Sequence, residues 1–421
     1  MKAYPRLRAD LNVSEYRESD GTETVILKEP VSEKFFRLSL FEYELLTMLD
    51  GSTSVEQAVQ KLKSRGTYYS PEEAQTIVTR AAQFGLLLGT KVHTAHTMML
   101  LKERLKQAKS SQRVSSYYFF SLPLLNPDNF LSRTVWLFKL LCNRWTASLL
   151  IMAVPVALYM IVAGFPRLQT EYLFFFNWQN VLCLWAMIVL TKLVHEFSHA
   201  YTAKSFGLHV PEMGVALLLF FPCLFCNTTD AWQLADRRQR MAISAAGIAA
   251  ETVLAVIATF IWYFSKPGIV NSLAFYLMTI SLISTFFFNA NPLIKFDGYF
   301  ILMDYLRIPN LSTKAMEHIK YLFMNRVLGM TQQTSPARGS RELTIFTVYG
   351  ISAFIYRVSL YLGISAGVYY RFDKLLGILL AVPALGVFVV KPVIKGIFSL
   401  IQRRNEIRPR LAGVAVFGAL V

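Results

Sequence analysis

The chain has 421 residues, 54% of them hydrophobic, with a mean hydropathy of +0.39 and a formal net charge of +16. That apolar share exceeds what soluble domains carry, and several runs approach the ~20 residues that span a bilayer, so the composition reads as a polytopic membrane protein. The charge is uneven: residues 1–90 hold 11 Lys/Arg against 13 Asp/Glu, whereas the remainder is strongly basic. A basic soluble face for nucleic acid is therefore not expected, and the positive charge belongs to membrane-flanking loops and anionic lipid. No basic stub ahead of an apolar core marks a signal peptide.

Residues 1–90 read as a small cytosolic α/β domain. Thr24–Leu27 and Phe35–Leu38 are strand candidates around a turn at Pro30–Lys34. Leu40–Leu49, Ser54–Lys63 and Pro71–Phe84 carry helical periodicity, with Ser54 and Ser70 as N-caps and Pro71 at a first helical position. Two strands followed by three helices suit a winged-helix fold. Residues 91–145 form a linker and membrane approach, in which Asn129–Trp145 mixes Phe, Leu and Trp with Arg133, Lys139 and Arg144, as an interfacial helix does. His93 and His96 have no third ligand nearby and read as surface residues.

Six crossings are expected at about 146–165, 178–203, 242–264, 272–290, 343–370 and 374–400, within a membrane domain of residues 146–405. With the N-terminus cytosolic, the inner face holds Lys204, Arg237, Arg238, Arg240, Arg307, Lys314, Lys320, Arg326, Arg338 and Arg341, then Arg403, Arg404, Arg408 and Arg410. The outer face holds only Arg167, Lys266, Arg371 and Lys374, so one orientation satisfies the positive-inside rule and the other violates it. Glu212–Cys226 is apolar but too short to span comfortably, and reads as a re-entrant or sheet-like segment shielded by protein. Residues 406–421 include an apolar run of 11 residues, Leu411–Val421, expected to be a seventh crossing cut short rather than an interfacial anchor. The four cysteines imply no disulfide framework, and Cys223-Leu-Phe-Cys226 reads as buried free thiols.

The chemistry concentrates in Thr191-Lys-Leu-Val-His195-Glu196-Phe-Ser-His199. One helical turn separates His195 from His199, so both imidazoles leave one face and can share a metal ion. Glu196 stands beside them as a candidate proton acceptor for water activated there. Ionisable groups in a membrane-grade segment are costly and therefore functional by default. Catalytic zinc takes three protein ligands, and depth selects the third. The helix from Trp178 carries His195 about 26 Å inward, into the cytosolic half. The helix from Ser272 runs the same way, is interrupted at Asn289-Ala-Asn291-Pro292, and then reaches Asp297-Gly298. Pro292 removes a backbone bond, Gly298 permits an unusual turn, and a broken helix at that depth is tolerated where it lines a cavity. Asp297 is the expected third ligand. Lys192 and Lys295 are expected to snorkel toward the inner headgroups.

His-Glu-x-x-His with Asn291-Pro-x-x-x-x-Asp297-Gly298 about 100 residues later resembles the site-2 protease family of intramembrane zinc metallopeptidases, and within it the bacterial branch named for peptide zinc metalloproteases. Glu212-Met-Gly, Asp230-Ala-Trp232, Ala246-Gly-Ile-Ala-Ala-Glu251, Phe288-Asn-Ala-Asn-Pro, Phe296-Asp-Gly-Tyr and Tyr349-Gly through Tyr356-Arg357 extend the likeness over roughly residues 115–405. The resemblance implies Zn2+ on His195, His199 and Asp297, Glu196 as general base, and Asn289 or Asn291 positioning the substrate strand or polarising its carbonyl. Glu251 stands where the wider family more often has a polar amide; orienting a ligand, binding substrate and a protonated structural role stay open. Arg357, in mid-crossing, needs a partner, a water-filled cavity or a lipid phosphate.

The implied activity is hydrolysis of a peptide or membrane-protein substrate near the cytosolic leaflet of a bacterial inner membrane. Members often continue into a membrane-fusion-type adaptor on the outer side. The alternative is a membrane component of a peptide export system whose zinc site is structural or vestigial. Phe35-Phe-Arg-Leu-Ser-Leu-Phe-Glu-Tyr, Leu49-Asp-Gly51 and Phe84-Gly-Leu-Leu resemble PqqD-like domains, which bind leader peptides; the alternative for residues 1–90 is a regulatory or structural cap.

Overall fold

The computed structural model describes residues 4–17, 23–29, 34–63, 70–88, 119–173, 181–218, 221–327, 335–371 and 374. The chain divides into two compact units, Met1–Phe286 and Phe287–Val421.

The first unit begins with strands β1 (Arg6–Leu7), β2 (Asn12–Arg17), β3 (Glu23–Glu29) and β4 (Lys34–Ser39). β2, β3 and β4 form an antiparallel meander in which Leu27 faces Val13 on one side and Phe36 on the other. Helices α1 (Leu40–Thr47), α2 (Val55–Lys63) and α3 (Pro71–Gln83) follow, and β5 (Leu87–Leu88) returns to pair with β1. Ser54 and Ser70 cap their helices as expected, each accepting from the backbone N–H three residues on, and Ser39 does the same for α1. Leu27, Leu45, Leu46, Leu49, Leu62 and Leu87 close one apolar core. The sequence reading anticipated the three helices and the β3–β4 pair. β1 and β5 are too short for periodicity to reveal, and β2 alternates polar residues on an edge.

Next come β6 (Phe119–Leu125), α4 (Asp128–Leu141), α5 (Arg144–Ala163), α6 (Phe165–Leu173) and α7 (Val181–Ser205). Strands β7 (Met213–Leu218) and β8 (Phe221–Cys226), then helices α8 (Arg237–Phe264) and α9 (Ile269–Ile283), complete the first unit. The expected sheet-like segment is β7–β8, and β6 adds a third strand in the order β6-β7-β8. At Gly214 the Leu122 carbonyl comes so close that a Cβ would overlap it, and β6 bulges there between Pro123 and Leu125. All four cysteines are free, but of the Cys223/Cys226 pair expected to be buried, Cys223 is exposed and Cys226 half-buried.

Helix α4 occupies the position of the expected interfacial helix. Asp128 at its start accepts both Oδ contacts from Lys204 Nζ at 2.8 Å and the Val210 N–H at 3.0 Å. Burial opposes ionisation of Asp128, yet the Lys204 and Val210 bonds and the nearby His209 hold its carboxyl below the usual carboxylate range. Further along, Thr134 Oγ1 lies 2.9 Å from the Tyr201 hydroxyl and Phe138 stacks on the Tyr201 ring. One side of α4 is thus fastened to the end of α7, while Phe130, Trp136, Leu140 and Leu141 stay exposed.

In the second unit lie α10 (Asp297–Leu306), α11 (Leu311–Leu322) and α12 (Ser340–Arg371). Among the described residues, five helices are long and apolar enough to cross a membrane: Arg144–Ala163, Val181–Ser205, Arg237–Phe264, Ile269–Asn289 and Ser340–Tyr370. They coincide with the first five crossings expected from sequence. The sixth, apart from Lys374, and residues 406–421 lie outside the described residues, as do His93 and His96.

Candidate metal centre

Helix α7 forms because Val181–Ser205 contains neither Pro nor Gly and opens on an apolar run, Val181–Leu190. Small residues on α8, Ser244-Ala-Ala-Gly247-Ile-Ala-Ala, let α7 and α8 approach closely. A Cβ on Gly247 would overlap the ring of His195 and Nε2 of His199, so glycine there makes the room that the two imidazoles occupy.

Both imidazoles are buried, and each is fixed from behind. His199 Nδ1 is 2.7 Å from the Ile243 carbonyl oxygen, which can only accept, so Nδ1 carries the proton. His195 Nδ1 is 3.1 Å from Glu251 Oε1 and donates to that carboxylate by the same reasoning. The Nε2 atoms then turn toward each other and stand 3.1 Å apart. Two lone pairs at that separation repel unless a cation lies beside both. Carboxylate and carbonyl partners on the far ring nitrogens are the support that zinc-ligating histidines usually have.

Glu251 is fully buried, and its charge is met on every side. Besides His195 it accepts from Lys192 Nζ at 2.9 Å, from Ser284 Oγ at 2.9 Å and from Thr285 Oγ1 at 2.8 Å. Of the three roles open for it, the geometry favours orienting a ligand: this carboxylate is engaged by protein groups, which argues against direct contact with substrate. The snorkelling expectation for Lys192 is corrected at the same place. Its ammonium turns inward to Glu251 and to Ser284 Oγ, 2.6 Å away, because a buried carboxylate is a stronger partner than distant headgroups. Lys192 and His195 are one turn apart on α7 and so reach the same carboxylate. Sequence reasoning missed this partner, since Glu251 lies 59 residues from Lys192.

Glu196 is half-buried on α7, along which β8 packs. Asn289, Asn291 and Asp297 belong to the second unit. Asn289 is buried; Asn291 Oδ1 accepts the Leu293 N–H at 2.8 Å, closing the turn after the helix break. Asp297 is the first residue of α10, and the backbone of Gly298 lies so close to the Ala290 carbonyl that a side chain would overlap it.

These positions can be set against known proteins. Residues 183–275 match Peptidase family M50. The match covers α7, with its His-Glu-x-x-His, and α8, with Gly247 and Glu251, and bears out the resemblance to site-2 proteases. The chain is 23% identical over 145 residues to the "Putative peptide zinc metalloprotease protein YydH" of Bacillus subtilis (strain 168), an alignment covering 34% of this chain and 56% of that protein. It is 37% identical over 68 residues to the "Uncharacterized protein MJ0971" of Methanocaldococcus jannaschii, which covers 16% of this chain and 19% of that one. No solved structure matches significantly.

Proposed function

We propose that the protein is an intramembrane zinc metallopeptidase that hydrolyses a peptide bond of a small peptide or membrane-protein substrate near the cytosolic leaflet. The observation that carries this reading is the convergence of His195 and His199, their outer nitrogens fixed by Glu251 and the Ile243 carbonyl and their Nε2 atoms 3.1 Å apart. The donor set supports zinc. Two imidazoles, His195 and His199, with one carboxylate, Asp297, make the kind of three-ligand set that catalytic zinc takes. Zinc would polarise the scissile carbonyl and acidify water. Glu196, beside the first ligand, takes the proton from the attacking water and returns it to the leaving amine. Asn289 and Asn291 remain the candidates for holding the substrate strand. The PqqD-like resemblance of residues 1–90 suits a domain that delivers a leader peptide.

The test is Glu196→Gln. Peptide cleavage in lipid vesicles should fall by ~10²-fold or more, with zinc still bound at the wild-type level. Unchanged turnover removes the role assigned to Glu196, and export that persists in this variant favours the transport reading instead. His199→Ala should lose the metal as well as the activity.

A further inference from the structure

The second unit contains an arrangement that the zinc reading does not use. The helix break at Asn289-Ala-Asn291-Pro292 leaves backbone carbonyls without helical partners, because Pro292 has no N–H and the turn after it is irregular. Within a membrane, water is not at hand to satisfy them. Helix α12 supplies donors instead. Tyr356 donates to the Phe287 carbonyl at 2.8 Å and Tyr349 to the Pro292 carbonyl at 3.1 Å. Arg357 donates to the Leu293 carbonyl at 3.3 Å and to Ser312 Oγ at 3.1 Å. Spacings of seven and eight residues put the three on one face of α12. The Tyr299 hydroxyl, near the start of α10, accepts the Ser312 N–H at 3.2 Å, and its ring meets that of Tyr349. Carbonyls on both sides of the break, Phe287 before it and Leu293 after it, are thus held by one rigid helix, and Asp297 follows four residues later.

We propose that Tyr349, Tyr356 and Arg357 are positioning residues: they fix the shape of the broken segment and so place Asp297 for metal binding. This rests on the zinc reading above. It also gives the mid-membrane Arg357 its partners, two oxygens of its own unit.

The experiment uses the full chain in detergent micelles, with Co2+ replacing Zn2+ so that the visible bands report the ligand field and chelator competition reports affinity. Tyr356→Phe removes one hydroxyl and keeps the ring; Arg357→Gln removes the charge and the second donor. Each should weaken metal affinity about ten-fold or more, the range seen when groups behind a ligand are removed, and should shift the cobalt bands at a temperature where helix content is unchanged. Arg357→Lys, which retains a donor, should recover part of the loss. Wild-type affinity and bands in Tyr356→Phe and Arg357→Gln would overturn the proposal, even if their melting temperatures fall, since that outcome belongs to a merely structural role. If Arg357→Gln does not fold, Tyr356→Phe decides alone. Cobalt binding that is equal in wild type and His199→Ala, or absent from wild type, removes the zinc reading and this proposal with it. Binding lost only in His199→Ala removes this proposal alone.

Discussion

The N-terminal region, residues 4–88, and the long apolar helices are built inside out with respect to each other. In the first, Leu45, at 0% exposure, sits in an aliphatic core, with Glu, Lys and Arg at the surface. In the helices, Leu182 is 83% exposed, whereas the fully buried positions include Thr191 and Glu251. The same residue type thus has opposite worth in the two regions, because one is surrounded by water and the other by hydrocarbon. Buried polar groups there, Glu251 above all, are met by neighbouring side chains, and that is where the candidate chemistry lies.

Substitutions can break this contrast at several points. The largest effect is expected at Glu251. Glu251→Ala strips the buried partner from Lys192 and His195 and should cost about 3–5 kcal/mol, read by thermal unfolding in detergent alongside a loss of bound metal. Close behind, Leu45→Ala should cost about 2–5 kcal/mol in the N-terminal core, seen as faster hydrogen exchange across α1–α3 of the full chain. The matched change on the apolar helix surface, Leu182→Ala, should leave stability within about 0.5 kcal/mol; an equal loss at both positions would defeat the comparison. The smallest effect concerns pH. The folded-state pKa of Asp128 is depressed, so its contribution to stability is complete above the unfolded value of about 3.9 and is lost as pH falls through the lower folded value. Asp128→Asn should flatten that acid limb of the unfolding curve.

Much of this was legible in the sequence, for identifiable reasons. Hydropathy located the five long apolar helices because a bilayer demands length, and i, i+4 spacing placed His195 beside His199. Ser70 with Pro71 announced a helix start. The sequence was mute where a partner comes from afar. Snorkelling is the default for a lysine near a membrane edge, and nothing local to Lys192 points to a glutamate on α8. Likewise Arg357 gave no sign that a carbonyl 64 residues earlier would be its acceptor. The helix break was read from Pro292, but the π-helical turn at Ser284–Asn289 ahead of it was not, since π-turns have no compositional mark.

Lys28 of β3 and Asp230 lie 202 residues apart in the chain, yet their charges meet at 2.6 Å. The β3 strand is therefore moored to the stretch just beyond β8 as well as leashed by its own polypeptide. An ion pair weakens as counterions accumulate, only modestly where both side chains are largely buried as here, so a steep rise in ionic strength is what it would take to slacken this mooring.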